Sequence, residues 1–390
     1  MRLLPILAVG CFVSSMSMRV IDPTIPDIAR DLHVSAATAA LLASAFTFPY
    51  ALGQPLLGAL GDTLGKARII KISLAIMMLC LVAASLAPSI DALFIARVIG
   101  GAAGGGIIPL AFALVGDRFD MADRQVMLSR LLSAIIAGQI TGSLGSGLVA
   151  AEFGWRASFA AGAVLAIVAL ALTLSQLTSR ADVARPPLRL TAMRDGYAKV
   201  FRNPRAIVCF TAVFIEGIVI FGLFPYVALL LEQRGTGGLR EAGFVLGGFA
   251  LGGFVYTALV RLMLDRLGLL NLIRAGGITC GIGLAIVALG GPWPIELAVF
   301  AVIGVGFYMI HNSLQTQATE LAPGARGSAV AAHAFFFFLG QAAGPLVYGL
   351  SLASVGPAAT LVTAGLAMAA TGLATALGLS RRGTIGTGVR

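Results

Sequence analysis

Glu216 is the one carboxylate in TAVFIEGIVIFGLFPYV, residues 211–227. A carboxylate in so apolar a run can take up a proton or hold a cation, provided that it faces an aqueous cavity or a partner. Arg19 and Asp22 form a second group. They stand three apart in SSMSMRVIDPTI, so they share a helix face, and the charge on Asp22 would follow whether the arginine is engaged. Arg97 enters a further apolar run, ALFIARVIGGAAGGGIIP. What is missing narrows the chemistry. There is no GxxxxGK[ST] phosphate loop, since GAAGGG lacks the lysine, and no HExxH or Ser/His arrangement. His33, His311 and His333 are scattered, and Cys11, Cys80, Cys209 and Cys280 lie singly in apolar segments. Neither a metal site nor a disulfide framework is indicated. No cofactor and no metal are expected, and the dispersed Met residues with His311 and His333 make copper handling a weak alternative. An intramembrane enzyme or an assembly factor fits these residues poorly.

The solvent around these charges follows from composition. Of 390 residues, 58% are hydrophobic and 11% charged, against about 25% charged in a soluble domain. So apolar a chain cannot cover its surface with polar groups, and lipid is the partner that the excess calls for. Twelve runs are long enough to span a bilayer: 4–26, 37–59, 70–87, 92–115, 128–150, 157–178, 206–230, 241–264, 272–290, 295–316, 328–351 and 355–379. MRLLPILAVGCFVSSMS imitates a signal peptide, but it runs on into further spans and reads as the first helix. The basic stretch 180–205, with three prolines, divides the chain into bundles at 1–179 and 206–390. The fold class is therefore all-α and membrane-embedded.

The net charge of +10 needs no nucleic acid. With both termini placed in the cytoplasm, only Arg30, Arg156, Arg234 and Arg240 of the 27 Lys and Arg fall to outer loops, and Arg19 and Arg97 lie inside helices. That bias fixes the orientation. The halves also echo each other: GQITGSLGSGLV at 138–149 matches GQAAGPLVYGLS at 340–351, and GDTLGK at 61–66 faintly matches LDRLGL at 264–269. Gln139 and Gln341 occupy equivalent places. Two six-helix repeats imply a site near the midplane, worked by alternating access. The small-residue stripe Gly138, Gly142, Gly145 and Gly147 lets helix backbones approach closely.

GALGDTLGKAR, residues 58–68, resembles the signature loop between helices two and three of the major facilitator superfamily. GQITGSLGSG resembles the helix-five motif of its twelve-helix drug:proton antiporters, and RVIGGAAGGGIIP looks like the helix-four motif that begins with arginine. MRVIDPTIPDIARDL looks like the first-helix end of the efflux branch, which includes sugar-efflux relatives. Thr63, Ala67 and Ser143 depart from the family pattern. The resemblance implies two pseudo-symmetric six-helix bundles in a bacterial cytoplasmic membrane. It implies proton-coupled efflux of small amphipathic compounds, with uptake by symport as the rival. It assigns Gly58, Asp62, Gly65, Lys66 and Arg68 to a cytoplasmic gate, with Asp62 pairing with Arg68 or facing a helix start. It lines the cavity with helices one, four, seven and ten. Glu216 would then face His311, Asn312, Gln315 and Tyr308, with Phe221, Phe224 and Tyr226 as aromatic walls. The partners expected are a small-molecule substrate, protons and the lipid bilayer, for a monomer.

Overall fold

The computed structural model describes residues 3–119, 121–177 and 190–381, which are helical with no strand among them. In chain order the helices are α1 (Leu3–Arg19), α2 (Ile25–Asp31), α3 (Ala36–Leu64), α4 (Lys66–Ser85), α5 (Ile90–Gly104), α6 (Ile107–Arg118), α7 (Met121–Ile140) and α8 (Ser146–Phe153). They continue with α9 (Trp155–Gln176), α10 (Leu190–Arg202), α11 (Arg205–Glu216), α12 (Val227–Gln233), α13 (Leu239–Leu289), α14 (Trp293–Glu320) and α15 (Arg326–Arg381). Among the described residues, ten helical stretches are long and apolar enough to cross a bilayer. Their outer faces carry Leu79, Ile95, Val164 and Leu366, each more than half exposed. A surface of such side chains is one that lipid covers, so the chain is a multi-pass membrane protein.

Local chemistry sets the breaks. The first span stops at Arg19 and restarts at Ile25 across a 3₁₀ turn, Asp22–Thr24, where Pro23 and Pro26 remove two backbone donors. Ser35 and Ser89 cap α3 and α5 by accepting from Thr38 N and Ala92 N. A straight helix as long as α13 would extend about 75 Å, more than twice the apolar thickness of a membrane. It breaks at Gly268 (φ 69°), and α15 breaks at Gly356 (φ 76°), a backbone region that favours glycine. The stretch 58–68 is almost wholly helical: α3 runs on through Leu64, and Gly65 (φ 98°) alone separates it from α4. The helical pattern of that stretch carries no proline or charge run that would end α3 sooner.

The chain forms two compact units. The first is Met1–Leu188 with Phe224–Phe244, the second Arg189–Leu223 with Val245–Arg390. In the first, α1 packs on α7 and α9, and α3 on α5. The later segment is fastened there by ion pairs of Arg30 with Glu232 (2.8 Å) and of Arg240 with Glu152. In the second, α11 packs on α15 and α14, and Asn203 Nδ2 donates to Leu321 O at 2.8 Å, tying the start of α11 to the end of α14.

The two units repeat their close helix crossings. A Cβ on Gly138 would overlap the carbonyl of Phe12, and one on Gly340 the carbonyl of Phe214. Likewise Gly101 lies on the Phe46 carbonyl and Gly304 on that of Phe249. Both pairs recur at a shift of about 200 residues, the signature of an internal repeat.

Candidate functional site

Glu216 ends α11 and is wholly buried, 0% exposed. The backbone after it forms a π-helical turn, Gly217–Phe221, a local widening often found at functional sites. Gly217 makes the turn possible where α15 crosses, since a Cβ there would lie 2.5 Å from the Phe337 carbonyl oxygen. Tyr348 Oη of α15 donates to the carbonyl of Val219 within the turn at 2.7 Å. Glu216 Oε2 is hydrogen-bonded to His311 Nδ1 of α14 at 3.0 Å. Its other oxygen, Oε1, has no hydrogen-bond partner among the described residues.

Aromatic rings wall the pair. Phe307 stacks on His311 with centroids 5.0 Å apart, Phe337 lies at 4.4 Å, and His333 of α15 at 5.2 Å. Phe221 stands edge-on to Phe307 and Phe337. Among the described residues this enclosed carboxyl group has one hydrogen-bond partner, the His311 ring. Such surroundings fit one shared proton between acid and imidazole far better than a lone charge. Asn312 hydrogen-bonds Tyr256, which stacks on Tyr308 at 6.2 Å. Gln315 is exposed, and Gln341 is buried on α15, its backbone N 2.8 Å from where a Cβ on Gly217 would sit.

The charged cluster of the first unit is built differently. Arg19 and Asp22 are buried, and Arg19 Nη1 lies 3.7 Å from Asp22 Oδ2. Arg97 of α5 reaches the broken end of α1. Its Nη1 donates to Ser17 O at 2.7 Å, Nη2 to Met18 O at 3.4 Å and Nε to Leu42 O at 3.3 Å. Its guanidinium lies 4.2 Å from the centre of the Phe46 ring. The bonds to Ser17 and Met18 satisfy carbonyls that the end of α1 leaves without intrahelical partners. Tyr226 is buried in the segment that joins this unit, as is Phe224, whose ring lies 5.4 Å from Arg19. Gln139 is half-buried on α7.

At the α3–α4 turn, Lys66 Nζ pairs with Asp117 Oδ2 of α6 at 2.6 Å, and Arg68 is exposed. Gly58 and Asp62 lie in α3, and the placement of the Asp62 side chain lies outside what is described. The glycine stripe divides. Gly138 and Gly142 meet α1, Gly147 meets Leu239 O and Gly243 of α13, and a Cβ on Gly145 would touch only Thr141 of its own turn, at 3.5 Å.

Sequence reasoning missed two elements. His333 was one of three scattered histidines, yet the fold brings it beside His311, and no local signal announces that. Asp117 is the partner of Lys66, and the DR pair at 117–118 near a helix end was a signal that could have found it. Among the described residues no group of three or more His, Cys, Asp or Glu is arranged to hold a metal.

The sequence model of the Major Facilitator Superfamily matches residues 7–345. The chain belongs to that superfamily. This family consists of transporters rather than enzymes, as the motif resemblance implied. Among similar curated proteins is Multidrug resistance protein 1 of Bacillus subtilis, 24% identical over 89% of each chain. Multidrug resistance protein 2 of the same organism is 26% identical over 57% of this chain and 55% of its own length, so that match spans about half the relative. Solved superfamily structures share the fold. A nucleoside transporter superposes with a TM-score of 0.79 at 17% identity, over 97% of this chain and 99% of its own. A D-xylose–proton symporter gives 0.77 at 17%, over 96% of each.

Proposed function

We propose that this superfamily member is a proton-coupled secondary transporter that exports small amphipathic compounds by alternating access. Glu216, paired with His311, takes the coupling proton. Arg19 and Asp22 form a second buried charge pair, and Arg97 holds the helix end on which they sit. The halves of α13 and α15 on either side of Gly268 and Gly356 count as separate spans, giving twelve, with both termini in the cytoplasm of a bacterium and a monomer in its inner membrane. The basic bias of the cytoplasmic loops supports that orientation. The observation that carries the reading is the wholly buried Glu216 bonded at 3.0 Å to His311 inside an aromatic wall. Leaving a charge at that depth costs about 2.5–3.5 kcal/mol, so the acid is held by its ability to exchange a proton. The relatives named for multidrug resistance support the reading as export.

The test uses proteoliposomes loaded with pyranine and a panel of compounds beginning with ethidium. Transported compounds should move protons in the parent and not in Glu216→Gln, which keeps the volume and the bond to His311. If Glu216→Gln still drives protons with substrate as the parent does, Glu216 is not the coupling site.

A further inference from the structure

The second unit holds a third buried titratable group that the pair does not use. His333 is 2% exposed, its ring centroid is 5.2 Å from that of His311, and its Nε2 has no hydrogen-bond partner among the described residues. An imidazole is costly to bury without partners, and here it lies directly against another imidazole, the ring planes tilted by 59°.

Depth orders the three groups. The start of α11, the end of α14 and the start of α15 lie at one end of the unit, since Asn203 bonds the Leu321 carbonyl and Arg326 follows closely. Counted from those ends at the helical rise, His333 lies about 10 Å in, His311 about 14 Å and Glu216 about 16 Å. They form a descending series across three helices. Cys280 of α13 is buried and within electrostatic reach of Glu216. Tyr256, also of α13, is engaged with Asn312. No Arg or Lys among the described residues pairs with Glu216. Among the described residues, His333 and His311 are the two groups in ring contact that lead to the Glu216 carboxyl.

We infer that His333 is a proton-relay residue, which delivers protons from the α14–α15 end of the second unit through His311 to Glu216. His333 takes a proton at Nε2 and gives a proton to the His311 ring. His311 releases its Nδ1 proton to Glu216 Oε2; each ring becomes neutral as it hands its proton on, and turns back to its starting tautomer before the next proton arrives. The inference rests on Glu216 being the coupling acid, and it adds the route by which that acid is filled.

The chain has three histidines, so ¹⁵N-histidine labelling in lipid nanodiscs gives three ring environments, assigned by His33→Asn, His311→Asn and His333→Asn. The signals of His311 and His333 should respond to pH together, and Glu216→Gln should shift both. A stopped-flow pH jump with pyranine, without substrate, reads the rate of proton uptake. His333→Asn should slow it about a hundredfold, the lower end of what a positioned proton-transfer group contributes, with the amount of proton finally bound at Glu216 unchanged. Thiol-dye melting of each variant identifies any that misfolds, and His333→Gln then replaces it. A His333 signal indifferent to Glu216→Gln, or uptake at the parent rate in a folded His333 variant, overturns the relay. Loss of substrate-driven proton movement in Glu216→Gln would still stand in that case, so the two readings fail separately.

Discussion

Alanine at Gly340 should drive α11 and α15 apart, while alanine at Gly145 should tighten its helix. Both substitutions gain about 0.8–1.0 kcal/mol from helix propensity alone. They differ in what the new methyl meets. At Gly340 it overlaps the Phe214 carbonyl oxygen and lies 2.9 Å from the carbonyl carbon and 3.1 Å from the Cα. All three are backbone atoms, so the overlap is relieved only by moving a helix, and overpacking of that kind costs about 1–3 kcal/mol. At Gly145 the nearest atom is the Thr141 methyl at 3.5 Å, an ordinary contact, and its backbone is right-handed helical (φ −61°, ψ −42°). The signs should therefore be opposite. The assay is melting in detergent with a thiol-reactive fluorogenic dye. Cys209 is wholly buried on α11 itself, close before Phe214, so it reports on the very helix that must shift. Gly340→Ala should melt a few degrees below the parent, with Cys209 labelled early, and Gly145→Ala should melt slightly above. Gly138→Ala, on the Phe12 carbonyl beside the buried Cys11, should follow Gly340→Ala. A Gly340→Ala protein that melts above the parent, as propensity alone demands, would refute the claim of close backbone packing.

Two further expectations use the same melting assay. Tyr348→Phe removes the bond to Val219 O within the π-turn, which should cost about 1 kcal/mol and alter the turn that follows Glu216, so coupling should weaken along with stability. His33 takes a left-handed backbone (φ 53°) after α2, so His33→Gly should stabilise the fold by about 1 kcal/mol and leave transport unchanged.

The spans and their number of charges are written plainly in the sequence because lipid demands long apolar runs, and no folding detail alters that. The repeat is legible for the same reason that it matters: Gly138 and Gly340 sit where a carbonyl of a crossing helix leaves no room for a side chain. Rotation about each helix axis is another matter. Lipid-facing and core-facing sides are both apolar here, so the periodicity that orients an amphipathic helix carries little phase information. That is why Glu216 could be singled out but His333 could not be placed beside it, and why Phe337, one of four consecutive phenylalanines, gave no sign that it would face His311. The π-turn at Gly217–Phe221 was equally hidden, since it is stabilised by tertiary contacts such as the one from Tyr348.

The matched crossings of Phe12 on Gly138 and Phe214 on Gly340 describe one scaffold made twice. At the registers they set, the counterpart of Glu216 is Ser14 and that of His333 is Leu131. The crossings at Gly101 and Gly304 likewise pair His311 with Ile108. The scaffold is repeated, and the line of acid and imidazoles stands in the second unit alone. On the proposed reading, the coupling proton is taken up in one twin alone, and the symmetry of the scaffold does not extend to how the protein works.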